Sequence, residues 1–150
     1  MLEKKLSISA AIITFNRAEW LKDALASLTK QTRQPDEVVV VDNGSKDHTK
    51  DVVLSFSDRL NIKYVYEPVR GIPHARNAAI RNATGDIIAS IDDDCVADEN
   101  WLKQIEIPFI KDPHIGVVGG NVTYFRVGEG SVEEFYIKNM SSRMKTGKRE

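Results

Sequence analysis

The sequence predicts an α/β protein whose mostly parallel sheet is flanked by helices. Two observations support this fold class. Short apolar runs alternate along the chain with amphipathic stretches, which is the order expected of strand–helix–strand units. The run "EVVVV" at residues 37–41 is almost entirely β-branched, so we expect a central strand that is buried on both faces.

The apolar runs place the strands, and the residues between them place the helices. A helix beginning near Asn16 has one apolar stripe along its length, and Pro73 suits the first turn of a helix that Gly85 stops. The predicted strands are residues 6–14, 37–41, 62–67, 86–91 and 115–125. The predicted stripe comprises Trp20, Leu21, Ala24, Leu25 and Leu28. The predicted helix caps are Asn16, Ser45 (before a helix to about residue 56), Asp98 and Ser131.

Composition limits the class of protein. A length of 150 residues suits one domain, and 41% hydrophobic with 29% charged residues is ordinary for a soluble globular protein. The net charge of −1 provides no overall field for nucleic acid. The single cysteine, Cys95, cannot form an internal disulfide, which fits a reducing compartment. We therefore expect a cytoplasmic protein without a bound nucleic acid.

Neither end of the sequence indicates a membrane span. The start "MLEKKLSISAAIITF" imitates a signal peptide but lacks a small-residue cleavage site, so we interpret it as the first strand. No apolar run approaches the roughly 18 residues that cross a bilayer. The basic ending, residues about 141–150, is predicted to be a frayed tail. A peripheral contact with the inner membrane face stays open.

Unusual polar residues follow three of the predicted strands. Strand one ends in "TFNR", strand two in "DNGS" and strand four in "DDD". Ligands of parallel α/β sheets bind beyond the carboxyl ends of the strands, near the point where the strand order reverses. The sequence therefore predicts a ligand site at this edge of the sheet.

The three aspartates suggest a metal site. If residues 92–94 are extended, Asp92 and Asp94 point to one side and Asp93 to the other. Two converging carboxylates suit Mg²⁺ or Mn²⁺, whereas Cys95 and three scattered histidines offer no zinc-ligand spacing. The alternative is a solvated acidic turn without a metal.

The other polar clusters each have two interpretations. Asp42 can accept hydrogen bonds from a base or ribose, or can stabilise the turn into the next helix. Thr14 and nearby backbone groups can meet a base edge, whereas Arg17 can be solvated. Arg76, near the start of the third helix, can grip a diphosphate or form a surface ion pair, and Arg70 and His74 are weaker candidates.

Three motifs of other enzyme classes are missing from the sequence, which disfavours those functions. No GxGxxG follows strand one and no GxxxxGK[ST] occurs, which disfavours dinucleotide binding and a P-loop nucleotidase. No G-x-S-x-G elbow indicates acyl transfer.

The ordered motifs "ITFNR", "VVVDNGS", "G-x-x-x-A-R-N" and "DDD" closely resemble family 2 glycosyltransferases of the GT-A fold. The resemblance covers residues 7 to about 120. It implies a Rossmann-like nucleotide-diphospho-sugar transferase fold and inverting transfer of a sugar from a UDP- or dTDP-linked donor, with Mg²⁺ or Mn²⁺, to an unknown sugar, lipid or protein acceptor.

The resemblance also implies roles for individual residues. Asp42 matches the aspartate at the base or ribose, and Arg76 matches an arginine near the diphosphate. Asp94 matches the favoured metal ligand, with Asp92 as a second ligand, and Asp92 or Asp93 lies near the ribose. The first-strand residues that line the base pocket are Thr14, Phe15 and Asn16.

The sequence departs from this family on the acceptor side. The family's general base lies well downstream of the aspartate motif, and only Glu133 and Glu134, at a predicted helix start, are weak candidates here. We therefore expect one domain over residues 1–150 that comprises the donor-binding half and is truncated at the C-terminal acceptor side. Two alternatives stay open: a non-catalytic or incomplete nucleotide-sugar-binding module that needs a partner, and a response-regulator-like domain with an acidic pocket.

Overall fold

A computed structural model describes residues 5–122 and 146–148 of the chain. The chain divides into two compact units, residues 1–106 and residues 107–150. The strands of the first unit are β1 (Ile8–Thr14), β2 (Glu37–Asp42), β3 (Ile62–Tyr66) and β4 (Ile87–Ser90). The helices are α1 (Ala18–Leu28), α2 (Thr49–Leu54), α3 (Ile72–Asn82) and α4 (Trp101–Lys111).

The four strands of the first unit form one parallel sheet in the order β3-β2-β1-β4. Thr14, the last residue of β1, is in register with Asp42, the last residue of β2. The chain proceeds outward from β1 to β3 and then returns to the other side of β1 with β4. This reversal of strand order places a topological switch point beside the carboxyl end of β1.

Strand β2 confirms the predicted central strand. Its four valines, at positions 38–41, are fully buried. Val38 and Val40 pack on the face covered by α1 and α2, whereas Val39 and Val41 pack against the alanines of α3. The mostly parallel sheet flanked by helices, predicted from the sequence, is therefore confirmed.

The predicted cap of α1 is wrong. Asn16 has a positive φ of 51° and lies outside the helix, where its Oδ1 accepts a hydrogen bond from the Lys46 backbone N–H at 2.7 Å. The N–H of Ala18, the first residue of α1, instead donates to Asp47 Oδ2 at 3.1 Å. The start of α1 is thus satisfied by a side chain from the loop that follows β2.

Ser45 does not cap α2 either. Its hydroxyl accepts a hydrogen bond from the Asn16 N–H at 2.9 Å, and Asp47 Oδ1 receives the N–H of Thr49 at the start of α2. The loops after β1 and β2 therefore bind each other, because the polar side chains of each satisfy backbone groups of the other.

Other local predictions agree more closely with the structure. Pro73 lies in the first turn of α3, and Asp98 accepts the N–H of Asn100 just before α4. Leu21, Ala24, Leu25 and Leu28 of the α1 stripe are buried, but Trp20 is 45% exposed. The long Trp20 side chain therefore lies at the rim of the apolar face.

The second unit contains strand β5 (Ile115–Val118), which pairs antiparallel with β6 (Thr146–Lys148). The predicted fifth strand ends earlier than expected, since residues 119–122 are not in a strand. Three residues of the predicted tail are a strand instead. The predicted helix after Ser131, with the candidate bases Glu133 and Glu134, lies outside the described residues.

Among the helices within the described residues, none has both the length and the apolar character needed to span a bilayer.

Candidate functional site

A cleft of about 370 Å³ lies at the carboxyl ends of β1 and β4, the edge of the sheet at which the sequence places a ligand. Five predicted site residues line it, whereas Asn16, Asp42 and Asp94 do not. The predicted residues that line the cleft are Thr14, Phe15, Arg76, Asp92 and Asp93.

Asp93 forms part of the cleft wall and is tied to the end of β1. It is 6% exposed, and its Oδ2 accepts a hydrogen bond from the Thr14 hydroxyl at 2.8 Å. Burial raises the pKa of the Asp93 carboxyl above its ordinary value, although the Thr14 hydrogen bond and the charge of Arg17 act in the opposite direction. This carboxylate is therefore held firmly between β1 and β4.

The aspartate triplet is a turn rather than an extended segment. The Cys95 N–H donates to the Asp92 carbonyl at 3.1 Å, which closes the turn and corrects the extended geometry assumed from the sequence. Asp92 and Asp94 nevertheless lie together: a carboxylate oxygen of each and the Cys95 sulfur are all within 4.8 Å of one another. Both carboxylates are exposed, whereas Asp93 is buried.

The donor set of this turn fits a hard divalent cation. Two exposed carboxylates supply oxygen ligands of the kind that Mg²⁺ and Mn²⁺ bind. Burial, and then the charges of Asp94 and Asp92, raise the pKa of the Cys95 thiol above its ordinary value. The chemistry of the turn therefore favours a cation that prefers oxygen over one that prefers sulfur.

Arg17 compensates the negative charge of the turn, which the sequence interpretation of a solvated side chain missed. Its Nη1 lies 3.2 Å from Asp93 Oδ1 and 3.1 Å from Asp94 Oδ2. The charge of Asp93, more than any other cause, raises the pKa of Arg17. Arg17 lies just beyond β1 and meets these carboxylates because the turn follows the neighbouring strand β4.

Asn43 organises the loop between β3 and α3, a role that the sequence did not indicate. Its Nδ2 donates to the carbonyls of Glu67 and Val69, and its Oδ1 accepts the N–H of Gly71 at 2.8 Å. Gly71 has a φ of 132°, a conformation that side chains rarely permit. These bonds fix the start of α3, from which Arg76 enters the cleft wall.

The Arg76 side chain forms no hydrogen bond or ion pair with any residue in the described part of the chain, so the alternative of a surface ion pair has no partner there. Arg70 instead stacks on Phe15, with its guanidinium carbon 3.4 Å from the ring centroid. His74 is exposed and does not line the cleft.

Asp42 has the turn-stabilising role that the sequence left open. It is buried, its Oδ1 accepts the Ser45 N–H at 2.7 Å, and its Oδ2 accepts the Tyr64 hydroxyl at 2.7 Å. Burial, followed by this hydrogen bond, raises the pKa of Tyr64. A contact between Asp42 and a nucleotide stays a prediction.

Comparison with known proteins identifies the family. Residues 9–147 match the sequence model of glycosyl transferase family 2. The chain belongs to this family. Membership confirms the resemblance drawn from the four motifs and decides against a response-regulator-like domain.

Family 2 relatives extend well beyond the matched region. The chain is 34% identical to the glycosyltransferase AglE of Haloferax volcanii, over 92% of this chain and 46% of that protein. It is 39% identical to the validoxylamine A glucosyltransferase of Streptomyces hygroscopicus subsp. limoneus, over 65% of this chain and 22% of that protein. The chain thus spans less than half the length of these relatives.

Solved structures of family 2 proteins share the fold. A mannosyltransferase from Pyrobaculum calidifontis, in complex with GDP-Man and Mn²⁺, has a TM-score of 0.71 and 29% identity over 80% of this chain and 36% of its own. S. aureus TarS in complex with UDP has a TM-score of 0.65 and 31% identity over 73% of this chain and 33% of its own. The predicted GT-A fold is confirmed.

Proposed function

We propose that this chain is the donor-binding part of an inverting glycosyltransferase that takes a nucleoside diphosphate sugar together with a divalent cation. One observation supports this function above all: a single cleft joins an aromatic ring, a guanidinium that has no partner among the described residues, and carboxylates of the acidic turn. These groups match the base, the diphosphate and the cation of such a donor.

The cleft residues divide by chemistry. The Phe15 ring offers a stacking surface and Thr14 a polar group for the base, while the Arg76 guanidinium suits the diphosphate, which it can bind through two parallel hydrogen bonds. Asp42 is the carboxylate assigned to the base or ribose, and Asp92 or Asp93 the one near the ribose. Asp92 and Asp93 line the cleft, whereas Asp42 is buried and does not line it, so its contact with a nucleotide stays a prediction.

Asp94 and Asp92 would hold the Mg²⁺ or Mn²⁺ ion. When bound, the cation supplies positive charge against the charge that grows on the departing diphosphate. Arg76, which lines the cleft, would add to this stabilisation, and an acceptor hydroxyl would attack the anomeric carbon from the face opposite the departing diphosphate. Glu133 and Glu134 remain weak candidates for the general base, since they lie outside the described residues.

The nucleotide base of the donor can be identified by binding measurements. UDP and GDP-Man occupy the two similar structures, and we propose a UDP- or dTDP-linked sugar here. Calorimetry with UDP, dTDP and GDP, each with and without Mn²⁺, tests this choice. We expect at least one uridine or thymidine diphosphate to bind, more tightly with Mn²⁺.

Arg76→Ala tests the diphosphate role, and Arg81→Ala is its matched control on the same helix. Arg81 is exposed and lies 3.7 Å from Glu67. We expect Arg76→Ala to weaken diphosphate binding by about tenfold or more, because a charge-assisted pair is lost, and Arg81→Ala to leave it unchanged. Equal affinities in the two variants, or no binding by the wild type, would contradict the proposal.

A second candidate function is a nucleotide-sugar-binding module that needs a partner or a further segment for catalysis. It is favoured by the cleft lining, whose groups Phe15, Arg76 and Asp93 suit a donor. Sugar transfer to any acceptor by this chain alone would exclude it, whereas donor binding without transfer would favour it.

A further inference from the structure

We propose that Arg17 has opposite effects on the two ligands: its charge weakens the binding of a free divalent cation and strengthens the binding of a diphosphate. The inference rests on the proposed function and adds a role for a residue outside the predicted set. It follows from the position of Arg17 between the acidic turn and the cleft.

Arg17 is fixed at its backbone and open at its guanidinium. It directly precedes α1, whose first N–H is held by Asp47, and the Arg17 carbonyl accepts the N–H of Leu21. One guanidinium nitrogen contacts both Asp93 and Asp94, yet the side chain is 52% exposed and lines the cleft. A ligand in the cleft therefore meets this positive charge directly.

The contact with Asp94 opposes a free cation. Nη1 lies 3.1 Å from Asp94 Oδ2, so it uses one oxygen of a carboxylate that the cation also needs. A cation at Asp92 and Asp94 would also sit close to a like charge, and such repulsion persists near a protein surface. The neutral variant Arg17→Gln should bind Mn²⁺ alone about fivefold more tightly than the wild type.

The same charge favours a diphosphate. Arg17 and Arg76 both line the cleft, and a guanidinium is well suited to phosphate oxygens. Removing one of two positive charges should weaken diphosphate binding in the absence of metal by about fivefold. Arg17→Gln should therefore strengthen the binding of Mn²⁺ and weaken the binding of the diphosphate. If Arg17 only stabilised the structure of the site, the substitution would weaken the binding of both ligands.

The experiment measures the two ligands separately on the full chain. Free Mn²⁺ is followed by electron paramagnetic resonance without nucleotide, and UDP binding by calorimetry in the presence of a chelator. Arg17→Lys keeps the charge and should resemble the wild type in both titrations, and Arg81→Gln should change neither. Arg17→Met repeats the neutral test if circular dichroism shows that Arg17→Gln does not fold.

The outcomes separate this inference from the proposed function. Tighter Mn²⁺ binding together with weaker UDP binding in the neutral variant supports it. Unchanged or weaker Mn²⁺ binding by that variant, while the wild type binds UDP with Mn²⁺, overturns the role of Arg17 alone. A wild type that binds no nucleoside diphosphate with Mn²⁺ overturns the proposed function and this inference with it.

Discussion

Thr14 and Asp93 are 79 positions apart in the chain, yet the Thr14 hydroxyl donates a 2.8 Å hydrogen bond to the Asp93 carboxylate. The bond joins the residue that ends β1 to the acidic turn that follows β4. Because the two strands are parallel neighbours, their carboxyl ends bring these side chains together. This contact fixes the acidic turn against the cleft.

Removing the Thr14 hydroxyl should destabilise the protein. Thr14→Val leaves a buried carboxylate without one of its donors, so we expect the free energy of unfolding to fall by about 1–3 kcal/mol. Urea denaturation of Thr14→Val, Asp93→Ala and the double variant measures the coupling. An equal cost of Thr14→Val with and without Asp93 would contradict a direct interaction.

Asp47 should stabilise the starts of two helices in a pH-dependent way. Its carboxylate receives the Ala18 N–H of α1 and the Thr49 N–H of α2. Burial alone would raise the pKa of Asp47, but the hydrogen bonds from Thr49 and Ala18 outweigh it and hold this pKa below its ordinary value. Its contribution is therefore complete above the ordinary aspartate pKa and is lost as the pH falls through the lower folded-state value.

Asp47→Ala should lower the free energy of unfolding by about 1–2 kcal/mol at pH 7, as loss of a helix cap does. The difference from wild type should shrink below about pH 4. Asp58→Ala is the control, since Asp58 is exposed and its one ion pair within the described residues joins its Oδ1 to Nε of the adjacent Arg59 at 3.6 Å. A difference that stays constant down to pH 3 would show that the carboxylate charge is not involved.

Loss of the Asn43 side chain should loosen the loop before α3. Asn43→Ala removes the acceptor of the Gly71 N–H and the donors to two carbonyls, so hydrogen exchange at the Gly71 amide should accelerate. Asn61→Ala, which removes an exposed bond to the Asp36 carbonyl, is the matched control. Unchanged exchange at Gly71 in Asn43→Ala would refute the anchoring role.

Features that depend on neighbouring residues in the sequence were predictable. The run of valines in β2 predicts a strand that is buried on both faces. Pro73 predicts the start of α3, because its fixed φ suits the first turn of a helix. The edge of the sheet that holds the site followed from the polar residues after three strands, because parallel strands share their carboxyl edge.

Features that depend on distant partners were not predictable. Asn16 fits the local pattern of a helix cap, but the Lys46 and Ser45 groups that it binds come from another loop. Arg17 finds its carboxylates only because β4 lies beside β1, an order that the local sequence does not state. The acidic triplet forms a turn that a local bond from the Cys95 N–H to the Asp92 carbonyl closes, but the groups that hold its carboxylates, Thr14 and Arg17, come from the end of β1.

The most direct test of the donor site locates the cation itself. In nuclear magnetic resonance spectra of the isotope-labelled protein with UDP, substoichiometric Mn²⁺ should selectively broaden the amide signals of Asp92, Asp94 and Cys95, because paramagnetic relaxation acts over short distances. The broadening should be strongest at these three amides, and Asp94→Asn should abolish it. Broadening centred elsewhere, or none while UDP is bound, would contradict a metal-assisted donor site at this turn.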